Sequence, residues 1–218
     1  MNKLNLQQFA APGLTTPIRA DTFKKLQLNA GVFIKDFVFE GITDATALKA
    51  AIVNIITGGS NPAGELIGAT RGGGNFNVTK QRRTPDIDGM RYPFKGSQFV
   101  DSADAYIATT LVEVTPDNFV LALATGEKSA SGKITTVKMH TAVEDDDYLT
   151  NMCWAGDLAD GRLVLIVLEN ALNNADMQFT FTDKGEGTIG VEFHAYQDDV
   201  DDYDIAPFSI VFFDKAST

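Results

Sequence analysis

The sequence predicts a mainly β protein: a β-sandwich or barrel with one or two short flanking α-helices and an extended basic loop or hairpin. Three observations carry this. Short runs rich in β-branched and aromatic residues recur along the chain, separated by turn clusters such as the stretch from Asp183 to Gly187. Only two stretches combine a capping residue with helical spacing. One glycine-punctuated segment, residues 68–96, gathers Arg71, Lys80, Arg82, Arg83, Arg91 and Lys95, a third of the chain's 18 Lys and Arg residues.

Taken in order, residues 1–24 read as an N-terminal arm, with Pro12, Pro17 and no sustained periodicity. Residues 25–218 read as a single domain with an insertion loop at about 70–96. Gly31 to Phe39 alternates in part and predicts a first strand. Leu48, Ala51, Ile52 and Ile55 share one face of a helix predicted over about 44–57, capped by Thr43 or Asp44 and stopped by Gly58 and Gly59. Glu65 to Ala69 is a short strand.

Gly72, Gly73 and Gly74 permit backbone geometry that side chains forbid. Phe76, Val78, Lys80 and Arg82 then alternate against Asn77, Thr79 and Gln81, a strand period whose second half has no apolar face. Pro85 and the turn signal Asp88-Gly89 make the segment a long, hydrophilic hairpin or loop. Phe99 to Val114 is β-rich. Thr115, Pro116 and Asp117 announce a short helix over about 116–124. The remainder predicts strands at 134–140, 162–168, 177–182, 188–197 and 207–213.

Composition narrows the chemistry. Hydrophobic content of 44% supports a real core, and 15 phenylalanines make it aromatic. The single cysteine, Cys153, excludes an intrachain disulfide framework and reads as a small buried hydrophobe. No apolar run reaches the roughly 18 residues of a membrane span, and the N-terminus lacks a signal-peptide core, so a soluble protein that does not bind membranes is expected. The formal net charge is -11, but it is unevenly spread. Residues 1–35 and 71–95 are both net basic, whereas 141–204 are strongly acidic. Such asymmetry suits patches that meet on neighbouring copies.

Catalytic motifs fail on inspection, and no enzyme activity, cofactor or metal is expected. Gly185, Gly187 and Gly190 match a dinucleotide fingerprint, but a strand-like run follows where the pyrophosphate needs a helix N-terminus. The run from Gly126 to Lys133 resembles a phosphate-binding loop with one residue too many and no hydroxyl after the lysine. The acidic runs at 144–147 and 198–204 lack calcium-loop spacing and read as solvated charge. His140 and His194 read as satisfied strand histidines. Trp154 reads as core rather than as a sugar platform. No nucleophile elbow is present. Specific nucleic-acid binding is disfavoured by the acidic total.

The order of these phrases resembles the major tail proteins, or tail tube proteins, of long-tailed bacteriophages. The resemblance rests on KLQLNAGVFIKDF at 25–37, GATRGGGNFNVTKQRRTPDIDGMRYPFKG at 68–96, TLVEVTPDNFVLALATG at 110–126 and FHAYQDDVDDYDIAPFSIVFF at 193–213. It implies a subunit that forms rings, typically of six copies, which stack into a hollow tube through which DNA passes without specific contact. A loop or hairpin and a terminal arm would reach the adjacent ring. If each of six copies lent four strands, about twenty-four strands spaced roughly 4.8 Å apart would give a backbone diameter near ~37 Å, enough to pass a duplex. The implied partners are further copies of the chain, a tail initiator or tip complex, a tape measure protein and a tail terminator. The implied location is the virion tail, after assembly in the host cytoplasm. A secretion-system tube protein of the same fold, or a β-sandwich binding module of a tail appendage, are the alternative readings.

On this reading, Arg71, Gly72, Gly73, Gly74, Lys80, Arg82, Arg83 and Arg91 form the stacking element between rings. Asp145, Asp146, Asp147, Asp198, Asp199, Asp201 and Asp202 supply an acidic counter-surface or line the lumen, where negative charge lets DNA slide.

Overall fold

The computed structural model describes residues 21–27, 29–181, 183–198 and 205–214. The N-terminal arm falls almost wholly outside the described residues. In chain order the elements are β1 (Val32–Lys35), α1 (Ala45–Ile56), β2 (Glu65–Leu66), β3 (Thr70–Arg83), β4 (Phe99–Leu111), α2 (Pro116–Leu123), β5 (Gly126–Ser131), β6 (Ile134–Met139), β7 (Leu149–Asp157), β8 (Leu163–Asn173), β9 (Phe179–Thr180), β10 (Thr188–His194) and β11 (Phe208–Phe213). The chain is therefore mainly β, as its patterning predicts. No helix among the described residues is long and apolar enough to cross a membrane.

Both helices start where their capping residues place them. The Asp44 carboxylate accepts from the backbone N–H of Thr46 and Ala47 at 2.8 and 2.9 Å. The Thr115 hydroxyl accepts from Asn118 N–H at 3.2 Å, and Pro116 occupies the first turn, where no N–H is needed. Leu48 and Ile55 are buried along the apolar stripe of α1.

A single antiparallel sheet runs β2-β1-β7-β8-β10-β4-β3, with β11 added to β8 and β9 to β10. Its bend lies in β8. From Leu163 to Leu168 that strand sits between β7 and β11. At Asn170 the backbone turns to φ 46°, a left-handed conformation that asparagine tolerates. Beyond it, Leu172 and Asn173 pair with His194 and Phe193 of β10. One strand thus passes from one leaf of the sheet to the other.

The two leaves close over one core. Phe33, Met152 and Leu168 from the first leaf meet Ile107, Leu111, Val191 and Phe193 from the second. On the outer side of the first leaf, Ile34, Cys153, Leu165 and Val167 pack beneath Leu48 and Ile55 of α1. Burial on both faces explains why β8 opens as an unbroken apolar run.

The sequence does not announce β7. Asn151 and Gly156 interrupt its pattern, and alternation carries no signal when both faces are buried. Asn151 is nevertheless a structural keystone. Its amide accepts from Phe37 N–H at 2.7 Å and donates to Phe37 C=O at 2.8 Å, completing the pairing of β1 just past Asp36, where φ is 52°. The strand β5 also goes unannounced. The stretch resembling a phosphate-binding loop is a hairpin of β5 and β6 that turns through Gly132. The fingerprint-like glycines lead into β10, not into a helix.

Cys153 is fully buried, and desolvation pushes its thiol up to about 12. A thiol reagent such as DTNB therefore leaves the native protein unlabelled at pH 8 and titrates one thiol per chain in denaturant. Stoichiometric labelling of the native state would refute this packing.

Candidate assembly surface

The basic segment is half of a long ribbon. β3 pairs with β4 from Thr70↔Leu111 to Arg83↔Phe99. Its 14 residues span roughly 47 Å at about 3.4 Å each. β10 covers β4 only from Leu111 to Tyr106, with one further bond from Ala195 N–H to Ala105 C=O. Beyond that point, among the described residues, β3 and β4 pair only with each other, and every residue of Thr79–Arg83 and Phe99–Asp104 is exposed. Of the two forms expected for the insertion at 70–96, hairpin or loop, the structure shows a hairpin: the segment is one arm and the tip, and the second arm is β4. The physical reason is register. The polar alternation of Lys80 to Arg83 continues a ladder whose partner strand cannot be read from that segment itself.

The root and tip of the ribbon differ. At the root, pairing shifts between Thr70 and Gly74, and Gly72 and Gly73 take φ of 76° and 72°. Thr109 Oγ1 donates to Gly73 C=O at 2.7 Å. A Cβ at Gly74 would lie 2.6 Å from the Phe33 ring, so this glycine serves close packing with β1. Arg71 also lies at the root and pairs with Glu186, holding that carboxyl below the usual carboxylate range. Arg71 and the three glycines therefore lie at the root of the ribbon, far from its tip. They do not join the remaining cations.

Those cations cluster at the far end. Arg83 donates from Nε to Asp101 at 2.7 Å, with its guanidinium 5.8 Å from the centre of the Phe99 ring. Among the described residues, no carboxylate lies within ion-pairing distance of Lys80, Arg82, Arg91 or Lys95. The connecting tip bends twice: Met90 N–H reaches Ile87 C=O at the expected Asp88-Gly89 turn, and Ser97 N–H reaches Phe94 C=O. The sequence reading passed over the apolar side chains here. Ile87, Tyr92, Phe94, Phe99 and Val100 are all exposed, Tyr92 by 80% and Phe94 by 71%. Their signal in the sequence is an aromatic pair, Tyr92 and Phe94, inside a cationic segment that has no apolar face to bury them.

Asp145, Asp146 and Asp147 make a 3-10 turn entered from Glu144. Asp147 is committed to that turn, accepting from Glu144 N–H at 2.8 Å and facing His140 Nε2 at 3.1 Å. The other nitrogen of His140 lies 2.6 Å from Ala142 C=O, and this acceptor, with Asp147, raises its pKa. Asp145 and Asp146 stay exposed. Asp146 and Asp147 share a cavity with Asp117, Val120 and Ala124 of the α2 region. Tyr148, the next residue, packs edge-on against Tyr196 with centroids 5.3 Å apart, so this turn sits on the body of the domain beside α2 and β8, away from the ribbon tip. Asp198 follows β10 past His194, on the side from which the ribbon departs. Asp199, Asp201 and Asp202 lie outside the described residues.

His194 braces the ribbon where it leaves the sheet. Its Nδ1 lies 2.8 Å from Asp104, its Nε2 lies 3.0 Å from Glu192, and its ring stacks on Tyr106 with centroids 4.9 Å apart. Trp154 is half-buried against the core, and its Nε1–H donates to Ala30 C=O at 2.8 Å. Among the described residues, no group of three or more His, Cys, Asp or Glu side chains could hold a metal ion. No protein-family model matches the chain, and no curated protein matches its sequence.

Proposed function

We propose that this chain is a structural subunit that stacks head to tail into a hollow tube, in the manner of the tail tube proteins of long-tailed bacteriophages. One observation carries the reading. A cationic ribbon, whose Lys80, Arg82 and Arg91 have no ionic partner among the described residues, projects from the domain, and exposed carboxylates at Asp145 and Asp146 sit on its body beside α2. A donor on the ribbon and an acceptor elsewhere on the same chain make a heterologous contact, which builds a filament when it repeats without closing on itself. The strand edges of β3 and β11 are open to pairing with neighbouring copies, the route by which separate sheets join into one barrel. The fold resemblance, the virion location, the tail partners and the non-catalytic role belong to this same proposal. Within it, the finer assignment is a tail tube β-sandwich.

Concentrated protein examined by negative-stain electron microscopy tests it. Stacked rings or tubes with a central hole are expected. Monodisperse particles that stay single after addition of a cognate tail-tip complex would overturn the proposal.

A further inference from the structure

We propose that the apolar groove beside α2 receives the ribbon tip of a second copy of this chain, with Tyr92 and Phe94 of one copy seated against Pro116, Phe119, Leu123 and Val137 of the next. This inference rests on the head-to-tail reading and names its contact.

The groove has a volume of about 370 Å³ and lies between α2 and β6. Its apolar surface continues into an open aromatic rim. Phe119 meets the ring of Phe179 at 5.4 Å, Phe179 meets Phe181 at 4.6 Å, and Phe181 is 81% exposed. An apolar hollow with an uncovered aromatic edge is a poor solvent surface and a good receptor for ring side chains.

Geometry makes the occupant another molecule. β4 runs from the ribbon tip to Leu111, and five residues later α2 begins at Pro116. The tip therefore points away from its own groove by about the length of β4, roughly 43 Å for 13 residues. Charge agrees with a second copy as the occupant. Among the described residues, Lys80, Arg82, Arg91 and Lys95 of the tip have no ionic partners. Glu127, Glu144, Asp145 and Asp146, at the α2 end, also lack ionic partners among the described residues. The lysines of the β5–β6 hairpin do not oppose this. Lys128 pairs with Asp117, Lys138 lies on the face of β6 opposite Val137, and Lys133 sits in the turn.

Size predicts how the contact behaves. Two aromatic side chains bury about 150–250 Å² each, well below the roughly 800 Å² per partner of a stable interface. One seated tip is weak, so assembly depends on many tips engaging together.

The test uses cysteine pairs, because buried Cys153 does not compete. Tyr92→Cys protein is mixed with Thr135→Cys protein, whose cysteine lies in the groove, under mild oxidation at assembling concentration. A crosslinked dimer is expected from the mixture, little from either variant alone, and a ladder from the double variant. Lys49→Cys on α1 is the control and should not crosslink with Tyr92→Cys. In parallel, Phe94→Ala, a change at an exposed tip position, should raise the concentration needed for assembly at least tenfold. Tubes that form without the Tyr92–Thr135 crosslink, or that ignore Phe94→Ala, would assign the groove to another occupant and overturn this inference alone. Absence of any self-association would overturn it together with the stacking proposal.

Discussion

The double substitution Arg82→Glu with Arg83→Glu should abolish tube growth while leaving the monomer folded. Both side chains are exposed on the part of the ribbon that only β4 covers. Surface changes of this kind alter stability by about 0.5 kcal/mol or less. The Arg83–Asp101 pair is itself solvent-exposed, so its loss costs little. Assembly is different, because each copy would present two new negative charges to an acidic neighbour. Like-charge juxtaposition at an interface costs several kcal/mol, and the penalty repeats at each contact. The expected result is an unchanged circular dichroism spectrum and thermal midpoint, with no sedimentable polymer at concentrations where the parent assembles. High salt should weaken assembly of the parent for the same reason. Arg71→Glu is the informative comparison. Arg71 sits at the ribbon root against Glu186, so it should leave stacking largely intact. Normal tubes from the Arg82, Arg83 variant would remove the ribbon from the stacking contact.

Asn151→Ala should be the most damaging single change to the fold. The side chain is buried, and its amide satisfies both backbone groups of Phe37. Alanine leaves a buried N–H and a buried C=O without partners and opens a small void beside Cys153. Each unsatisfied group costs about 1–3 kcal/mol, so the combined loss is on the order of 2–6 kcal/mol. Urea unfolding followed by Trp154 fluorescence measures it. A loss below about 1 kcal/mol would show that water or a backbone shift replaces the amide. Aspartate is the sharper substitution, since it keeps the acceptor for Phe37 N–H but loses the donor to Phe37 C=O.

The two helices were legible because their signals are local. Asp44 and Thr115 cap within three residues of themselves, and the apolar stripe of α1 lies within four turns. The strand β4 was legible because Ala105, Ile107, Thr109 and Leu111 alternate against solvent-side residues. The strand β7 was not, because it is buried on both faces and carries a polar keystone that looks like a loop residue. The candidate site was half legible. Cationic residues at 80–95 stand out in an acidic chain, and Asp88-Gly89 marks the turn between the arms. Arg71 and the glycines lie apart from them, because closeness in sequence along an extended strand means distance in space. Thr70 and Arg83 are 13 residues apart, and on a strand that separation is roughly 43 Å. The acidic turn at 145–147 was legible only as charge, and its seat beside α2 was not, because the cavity it lines joins residues from Lys35 to Phe193.

By itself, the amino-acid order determined that this chain is mainly β, where both helices begin, that Cys153 is a core residue, and that positive charge is concentrated in one hairpin. These follow from short-range rules: capping, periodicity, turn chemistry and the cost of burying charge. Only the tertiary structure decided that β8 bends at Asn170 to fold the sheet over its core, that the basic residues ride on a ribbon uncovered by β10, and that aromatic side chains crown its tip opposite an apolar groove. Those features depend on which strands pair and how far each pairing runs. Pairing is settled by contacts between residues distant in the chain, to which local pattern is blind.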